Sequence, residues 1–332
     1  MENILSRLIN QENISEMEAK NLLVNISAGQ YNPSQIAAFL TVYMMRSITL
    51  GELKGFRDAL LELCIPVEIS EYNAIDLCGT GGDGKNTFNI STLASFITAA
   101  AGVNVSKHGN YGVSSASGSS NVLEFFGIKF TNDIPFIKDC LDTAGICILH
   151  APLFHPAMKN VAPIRKELGV KTFFNMLGPL VNPSFPKNQM VGVFSPELLR
   201  LYGYLYENTD KNYSIVHALD GYDEISLTGD TKIISNDSES ILTPEDFGLN
   251  SINKSSIYGG DTVKQAAHIF SNILNGKGTK IQNQVVCANA AVAIATAKKI
   301  PLSDGFELAQ EALFSGEAKQ RFNILVKLSE GK

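Results

Sequence analysis

The chain has 332 residues, 45% hydrophobic and 18% charged, with a net charge of −6 from 27 basic and 33 acidic side chains. That composition describes a packed globular protein of about two domains and argues against a nucleic-acid binder or an anionic-membrane binder, both of which need a basic footprint. The five cysteines form no C-x-x-C pair and the five histidines no H-x-x-x-H, so reduced core thiols are expected rather than disulfides or zinc.

In chain order, the segment through residue 65 reads as three or four short helices. Ser15 with Glu18 and Thr49 with Glu52 fit the S/T-x-x-E capping box. Pro33 suits a first helical turn, ahead of the apolar set Ile36, Phe39, Leu40, Tyr43 and Met44. Met44 and Met45 fit either the core of this unit or a subunit contact, and the core is the expectation. The opening MENILSRLINQEN lacks the basic start and apolar core of a signal peptide, and no segment approaches the apolar length of a membrane span. A soluble, cytoplasmic protein is therefore expected.

From residue 73 the rhythm changes to short apolar strands at 74–78, 103–106, 146–150, 189–194 and 213–219, with helical patterns at 91–101, 119–126, 134–144 and 196–208. Such alternation predicts a largely parallel sheet covered by helices. Residues 155–185 read as a helical stretch punctuated by proline and glycine, and 226–260 as irregular strands with turns. Helices resume at 262–274, 282–298, 303–314 and 318–328.

The most informative stretch follows the first strand. Glycines 79, 81, 82 and 84 are succeeded by Thr87, Asn89, Ser91 and Thr92, where a helical pattern opens. Glycines let successive N–H groups converge on one guest, and a helix start adds free amides and a positive dipole end. This pattern suits a phosphate or pyrophosphate. It is neither a Walker A loop nor G-x-G-x-x-G. KHGN (107–110) offers a cation and a two-sided amide, and SSASGSSN (114–121) offers hydroxyls before another helix. Asp223 and Glu224 are adjacent acids after an apolar run, a pair that can share magnesium with phosphate oxygens. Arg165 carries a planar fork suited to a carboxylate. Each of these pieces has an ordinary structural explanation when taken alone.

Their order and spacing together resemble the anthranilate phosphoribosyltransferase family over nearly the whole chain: GTGGD, NIST, KHGN, a Ser/Gly run entering VLE, a later arginine, NMLGPL and DE. The resemblance implies a small all-helical domain plus a larger α/β domain whose mostly parallel central sheet is flanked by helices, the nucleoside phosphorylase/phosphoribosyltransferase class-3-like arrangement. The helical domain is expected at 1–70, joined by helices from about 160–185, and the phosphoribosyl pyrophosphate-binding domain at 71–332. The implied reaction moves phosphoribosyl from 5-phosphoribosyl-1-pyrophosphate to the amine of anthranilate, with Mg2+ accompanying the donor. A homodimer through the helical domain is also implied, with neither nucleic acid nor membrane as partner.

Carried over by motif, the implied substrate-binding residues are Gly79, Gly82, Asp83, Thr87, Asn89, Ile90, Ser91, Thr92, Lys107, His108, Gly109, Asn110, Ser114, Ser115, Ser119 and Arg165. Ser91, Asp223 and Glu224 are the implied metal contacts. Asn110 and Arg165 would address anthranilate. His108 is the candidate base by motif, yet no side chain is expected to be an essential base, because bound pyrophosphate or water can take the proton. The chain departs from many relatives at Tyr111, where they carry arginine, at Asn121, where they carry aspartate, and at Thr87, where serine is frequent. Two other readings share parts of the pattern. A pyrimidine nucleoside phosphorylase would carry KHSTGGVGD, and a non-catalytic nucleic-acid binder would be basic and lack the acid pair.

Overall fold

The computed structural model describes residues 1–112 and 117–331. Four helices open the chain: α1 (Glu2–Ile9), α2 (Glu16–Ser27), α3 (Pro33–Met45) and α4 (Leu50–Glu62). The last three begin where side chains satisfy amides of the first turn. Ser15 accepts from the N–H of Glu18, and Thr49 from that of Glu52, which closes both expected capping boxes. Asn32 and Gln35 form a third box ahead of α3, which a search for serine or threonine does not reveal.

Met44 and Met45 do not join the core, a correction to the expectation. α3 buries Ile36, Phe39, Leu40 and Tyr43 on one stripe. The two methionines fall past the end of that stripe and stay 44% and 78% exposed.

The alternating part runs β1 (Ile75–Leu77), α5 (Ile90–Ala100), β2 (Val105–Gly109), α6 (Ser119–Phe125), α7 (Ile134–Ala144), β3 (Ile146–His150), the short α8 (Ala151–Phe154) and α9 (Ala162–Leu168). It continues as β4 (Asn188–Gly192), α10 (Pro196–Glu207), β5 (Asn212–Ala218), β6 (Thr231–Ser235) and β7 (Glu239–Leu242). Four helices close the chain: α11 (Val263–Leu274), α12 (Lys280–Lys298), α13 (Leu302–Phe314) and α14 (Glu317–Glu330).

The strands form one sheet in the order β3-β2-β1-β4-β5-β6-β7. The first five pair in parallel, and β6 and β7 add an antiparallel edge. Alternation along each strand sends neighbours to opposite faces. Met190 and Val216 pack with α5, α7 and α11–α14, whereas Val191 and Ile215 pack with α1–α4 and α10. No single helix among the described residues is long and apolar enough to cross a membrane.

The second cluster also takes in Ala157, Val161, Ile164, Phe173 and Leu177, from the stretch between β3 and β4. Phe173 is its pin, with ring centroids 5.6, 5.2 and 4.6 Å from those of Phe39, Tyr43 and Phe56. Truncating a buried aromatic forfeits its transfer free energy and leaves a cavity. Phe173→Ala is therefore expected to lose about 3–5 kcal/mol of folding stability, read from urea unfolding.

Candidate functional site

β1 lies between β2 and β4, the point where the strand order reverses, and a crevice opens beyond the carboxyl ends of these strands. A cleft of about 300 Å³ occupies that place. It lies within the size range of small-molecule sites. Its walls come from the loop after β1, the start of α5, the end of β2, the start of α6, α9, the 173–178 segment and the loop after β5.

The loop after β1 is shaped by close approach. The N–H of Thr80 bonds the carbonyl of Gly192 at 2.8 Å, and that of Gly81 bonds Oδ2 of Asp223 at 2.6 Å. A Cβ on Gly79 would stand 2.7 Å from the same carboxylate oxygen, and one on Gly192 would stand 1.6 Å from the Asp223 carbonyl oxygen. These two glycines let the acidic loop lie directly against the ends of β1 and β4. Lys171 donates to the carbonyl of Gly82, tying the loop to the segment after α9.

α5 starts at Ile90 with Asn89 before it, yet Asn89 does not cap the helix. Its amide donates instead to the Ser117 carbonyl at 3.0 Å, so it links this loop to the entry of α6. The N–H of Ser91 goes to Oε1 of Glu224 at 3.1 Å, which puts a carboxylate at the positive end of the helix. Thr87 donates its hydroxyl to Oε2 of Glu224 at 3.4 Å.

Lys107 and His108 were expected in a loop after the second strand. They lie within β2, opposite Ile148 and Leu149 of β3, because buried Asp76 on β1 accepts the N–H of His108 at 3.1 Å. Lys107 is 2% exposed and donates to the Leu77 carbonyl at 2.6 Å. Burial lowers its pKa. His108 donates Nδ1–H to the carbonyl of Gly178 at 3.0 Å, leaving Nε2 without a partner. Burial first, then the neighbouring ring of His155, pushes its pKa down to about 3. A ring held neutral in this way is a weak base.

Arg165, on α9, lies over the Phe174 ring at 5.3 Å and donates to Asn175 at 3.2 Å. Asn175 in turn accepts the N–H of Thr172 at 3.2 Å. A flat guanidinium is thus aimed by a ring beneath it and an amide beside it. Burial lowers its pKa as well.

Asp83, Asp223 and Glu224 bring three carboxylates to one end of the cleft. Burial, then Asp83, pushes the Asp223 carboxyl up to about 7, and burial with Asp223 raises Glu224 well above its ordinary value. Asp83 rises too, chiefly through burial. None of these three acids forms an ion pair among the described residues. Partly buried carboxyl oxygens without a cation are disfavoured in their charged form. They fit a divalent ion such as magnesium, which takes one or two carboxylates and fills its shell with phosphate oxygens and water. No three His, Cys, Asp or Glu side chains among the described residues form a metal cage by themselves, so a ligand must supply the remaining oxygens.

The cleft brings together Gly79, Gly82, Asp83, Thr87, Asn89, Ser91, Thr92, Lys107, His108, Gly109, Asn110, Ser119, Arg165, Asp223 and Glu224. Ile90 is not among the lining residues. Its side chain is fully buried in the core with Leu93 and Ala94, the face of α5 that helical spacing turns inward. Ser114 and Ser115 lie outside the described residues.

Lys85, Phe174 and Asn175 line the cleft and were not singled out from sequence. The T-x-x-N spacing of Thr172 and Asn175 was the available signal. Tyr111, which replaces an expected arginine, donates to Glu124 at 3.2 Å and packs on His150. Asn121 accepts from the N–H groups of both Gly112 and Gly118, at 2.9 and 3.0 Å. Its amide oxygen suffices for that task.

Two family models match the chain: the glycosyl transferase family helical bundle domain over residues 2–64 and the glycosyl transferase family a/b domain over residues 71–319. An anthranilate phosphoribosyltransferase of Flavobacterium psychrophilum is 68% identical over 329 residues, which cover 99% of this chain and 100% of that protein. The crystal structure of anthranilate phosphoribosyltransferase from Thermus thermophilus matches with a TM-score of 0.90 at 34% identity, covering 98% of this chain and 99% of that one. The Saccharomyces cerevisiae enzyme in complex with PRPP and Mg matches with a TM-score of 0.90 at 26% identity, covering 99% and 97%.

The buried imidazoles contribute to the acid limb of stability. His155 is 5% exposed and is pushed by burial to about 4 from 6.5, against smaller upward pulls from the main chain at Val181 and Leu60. Between those pH values the unfolded chain binds a proton that the native chain refuses, so stability falls as pH drops through that window. His155→Phe should flatten the decline between pH 6.5 and 4, measured by urea unfolding at a series of pH values.

Proposed function

The chain belongs to the anthranilate phosphoribosyltransferase family, and we infer that its cleft transfers the phosphoribosyl group from 5-phosphoribosyl-1-pyrophosphate to the amine of anthranilate, giving N-(5-phosphoribosyl)anthranilate and pyrophosphate in tryptophan biosynthesis. The carrying observation is one cleft with two unlike ends. One end joins a glycine loop, a helix start and uncompensated carboxylates. The other end presents Arg165 on an aromatic platform.

On this reading the loop of Gly79 and Gly82, with Asn89, Ser91, Thr92 and Ser119, receives the phosphorylated donor, and Lys107 contributes charge from β2. Ser91, Asp223 and Glu224 hold Mg2+. When bound, that ion neutralises negative charge on the diphosphate. Arg165 takes the anthranilate carboxylate in its planar fork, with Asn110 beside it.

An aromatic amine is a weak nucleophile because its lone pair is shared with the ring. Rate must therefore come from easing departure of pyrophosphate and from aligning the two reactants. The glycine loop and the start of α5, with its positive dipole end, line the side where leaving-group charge would grow. The sugar carbon then takes on oxocarbenium character, and the amine held beside it bonds to that carbon. The amine proton passes to departing pyrophosphate or water, since the ring of His108 has too low a pKa to hold it.

We extend the reading to a cytoplasmic homodimer through a helical domain of residues 1–70, completed by helices from about 160–185, with an α/β domain from residue 71. Exposed Ile9, Met17, Met44 and Met45 on the helical unit support that contact, and the shared apolar cluster of α1–α4 with residues 157–181 supports the grouping.

The direct test mixes purified protein, Mg2+, anthranilate and the phosphoribosyl donor. Anthranilate fluorescence should disappear only when all four are present, and persistence of the signal would refute the activity. Arg165→Ala is expected to raise KM for anthranilate by roughly 10²-fold, the scale of losing a charge-assisted pair, with little change in KM for the donor. Equal losses for both substrates would reject its role. Asp223→Asn with Glu224→Gln should raise the Mg2+ concentration needed for half-maximal activity, and an unchanged titration would remove the pair from the metal site.

A further inference from the structure

Residue 225 follows directly on the acid pair, and its main chain has no strand partner. Ile225 is 1% exposed, so both of its backbone polar groups need partners inside the protein. One side chain supplies both. Asn289, on α12 and 2% exposed, accepts the N–H of Ile225 at 3.0 Å through Oδ1 and donates through Nδ2 to its carbonyl at 2.9 Å. The second amide hydrogen goes to the Val285 carbonyl one turn back, also at 2.9 Å, which fixes the plane of the amide. Every polar group of this side chain is thereby committed.

The placement is directed at the site. Asn289 lies directly behind the acid pair, where a cavity of about 20 Å³ is bounded by Asn289, Gly79, Ser91, Gly192, Asp223 and Glu224. Buried alanines at 288, 290 and 291 flank it and keep the surrounding stretch of α12 slim. On the cleft side, Asp223 and Glu224 are already held by the amides of Gly81 and Ser91. The acidic loop is therefore gripped from both sides, by amides in front and by one asparagine behind.

We propose that Asn289 is a positioning residue for the metal-holding carboxylates: its two-point grip on Ile225 sets where Asp223 and Glu224 point. It touches neither substrate nor metal and acts through the main chain. The inference rests on the reading that this acid pair carries Mg2+. Groups that orient ligands from behind a metal typically alter its affinity by about 10–100-fold when removed. A side chain that merely filled space would lower stability and leave the metal requirement unchanged.

The test compares Asn289→Ala, the milder Asn289→Ser, Glu224→Gln and Phe322→Leu, the last a core change in α14 away from the cleft. Each is assayed twice: for the MgCl2 concentration giving half-maximal turnover at saturating donor and anthranilate, and for the rise in Tm that MgCl2 produces in the substrate-free protein. Asn289→Ala should raise the Mg2+ requirement by about tenfold and blunt the Tm rise, with a smaller change in kcat. Asn289→Ser, whose shorter hydroxyl can reach Ile225 through a bridging water, should fall between it and the parent and remain measurable if the alanine variant does not fold. Phe322→Leu should lower Tm and leave the Mg2+ requirement alone. A raised requirement in Glu224→Gln but an unchanged one in both Asn289 variants overturns the inference while the metal reading stands. No change in any of the three overturns both, and an equal rise in Phe322→Leu overturns the inference by showing that general softening suffices.

Discussion

Three carboxylates drawn into a small cleft without a cation are costly, and much of the site's architecture is built around holding them. Asp223 and Glu224 are not paired with lysine or arginine; they are caught by main-chain amides at Gly81 and Ser91. Those amides orient the oxygens yet do not neutralise them, as the upward displacement of both acids shows. The result is a set of carboxyl groups positioned ahead of time, with no ion-pair partner among the described residues. Glycines at 79 and 192 are demanded by this closeness, because a methyl group at either position would meet Asp223.

The opposite wall of the cleft obeys a different constraint. Arg165 reaches its place only because the 172–178 segment is folded back against the helical unit. Phe173 sits among the rings of α3 and α4, and its neighbour Phe174, stacked at 4.5 Å, supports the guanidinium. The apolar cluster around the N-terminal helices is thus continuous with the platform under Arg165. The glycine loop and the acid pair are set by strand ends and the start of α5, Arg165 by packing of helices. Lys171 and His108 join the two walls through the carbonyls of Gly82 and Gly178.

Element types were largely legible along the chain. Apolar runs at strand length, capping residues at Ser15 and Thr49, and the periodic helices after residue 262 all mark what forms there. Errors came where a long-range partner decides the outcome. β2 runs on to Gly109 because Asp76 and β3 meet it, and nothing local in Lys-His-Gly announces a strand. Asn89 looks like a helix cap and instead donates to Ser117. Met44 looks like core until the orientation of α3 places it past the buried stripe. Ile90 sits inside a functional motif, yet its side chain serves the core.

The sequence by itself determined the kind of chemistry: glycines with hydroxyls before a helix, an adjacent acid pair and a lone arginine, in an order that identifies the family. Those are local properties, since turn formation, helix starts and side-chain charge depend on residues a few positions apart. Only the tertiary structure decided that Gly81 and Asp223 would meet across 142 positions of chain, and Ser91 and Glu224 across 133. It alone also set the neutrality of His108, the burial of Lys107 and the grip of α12 on the acidic loop. Solvation and charge–charge energies depend on which groups surround an atom in space, and that list exists only once the sheet has closed and the helices have packed on it.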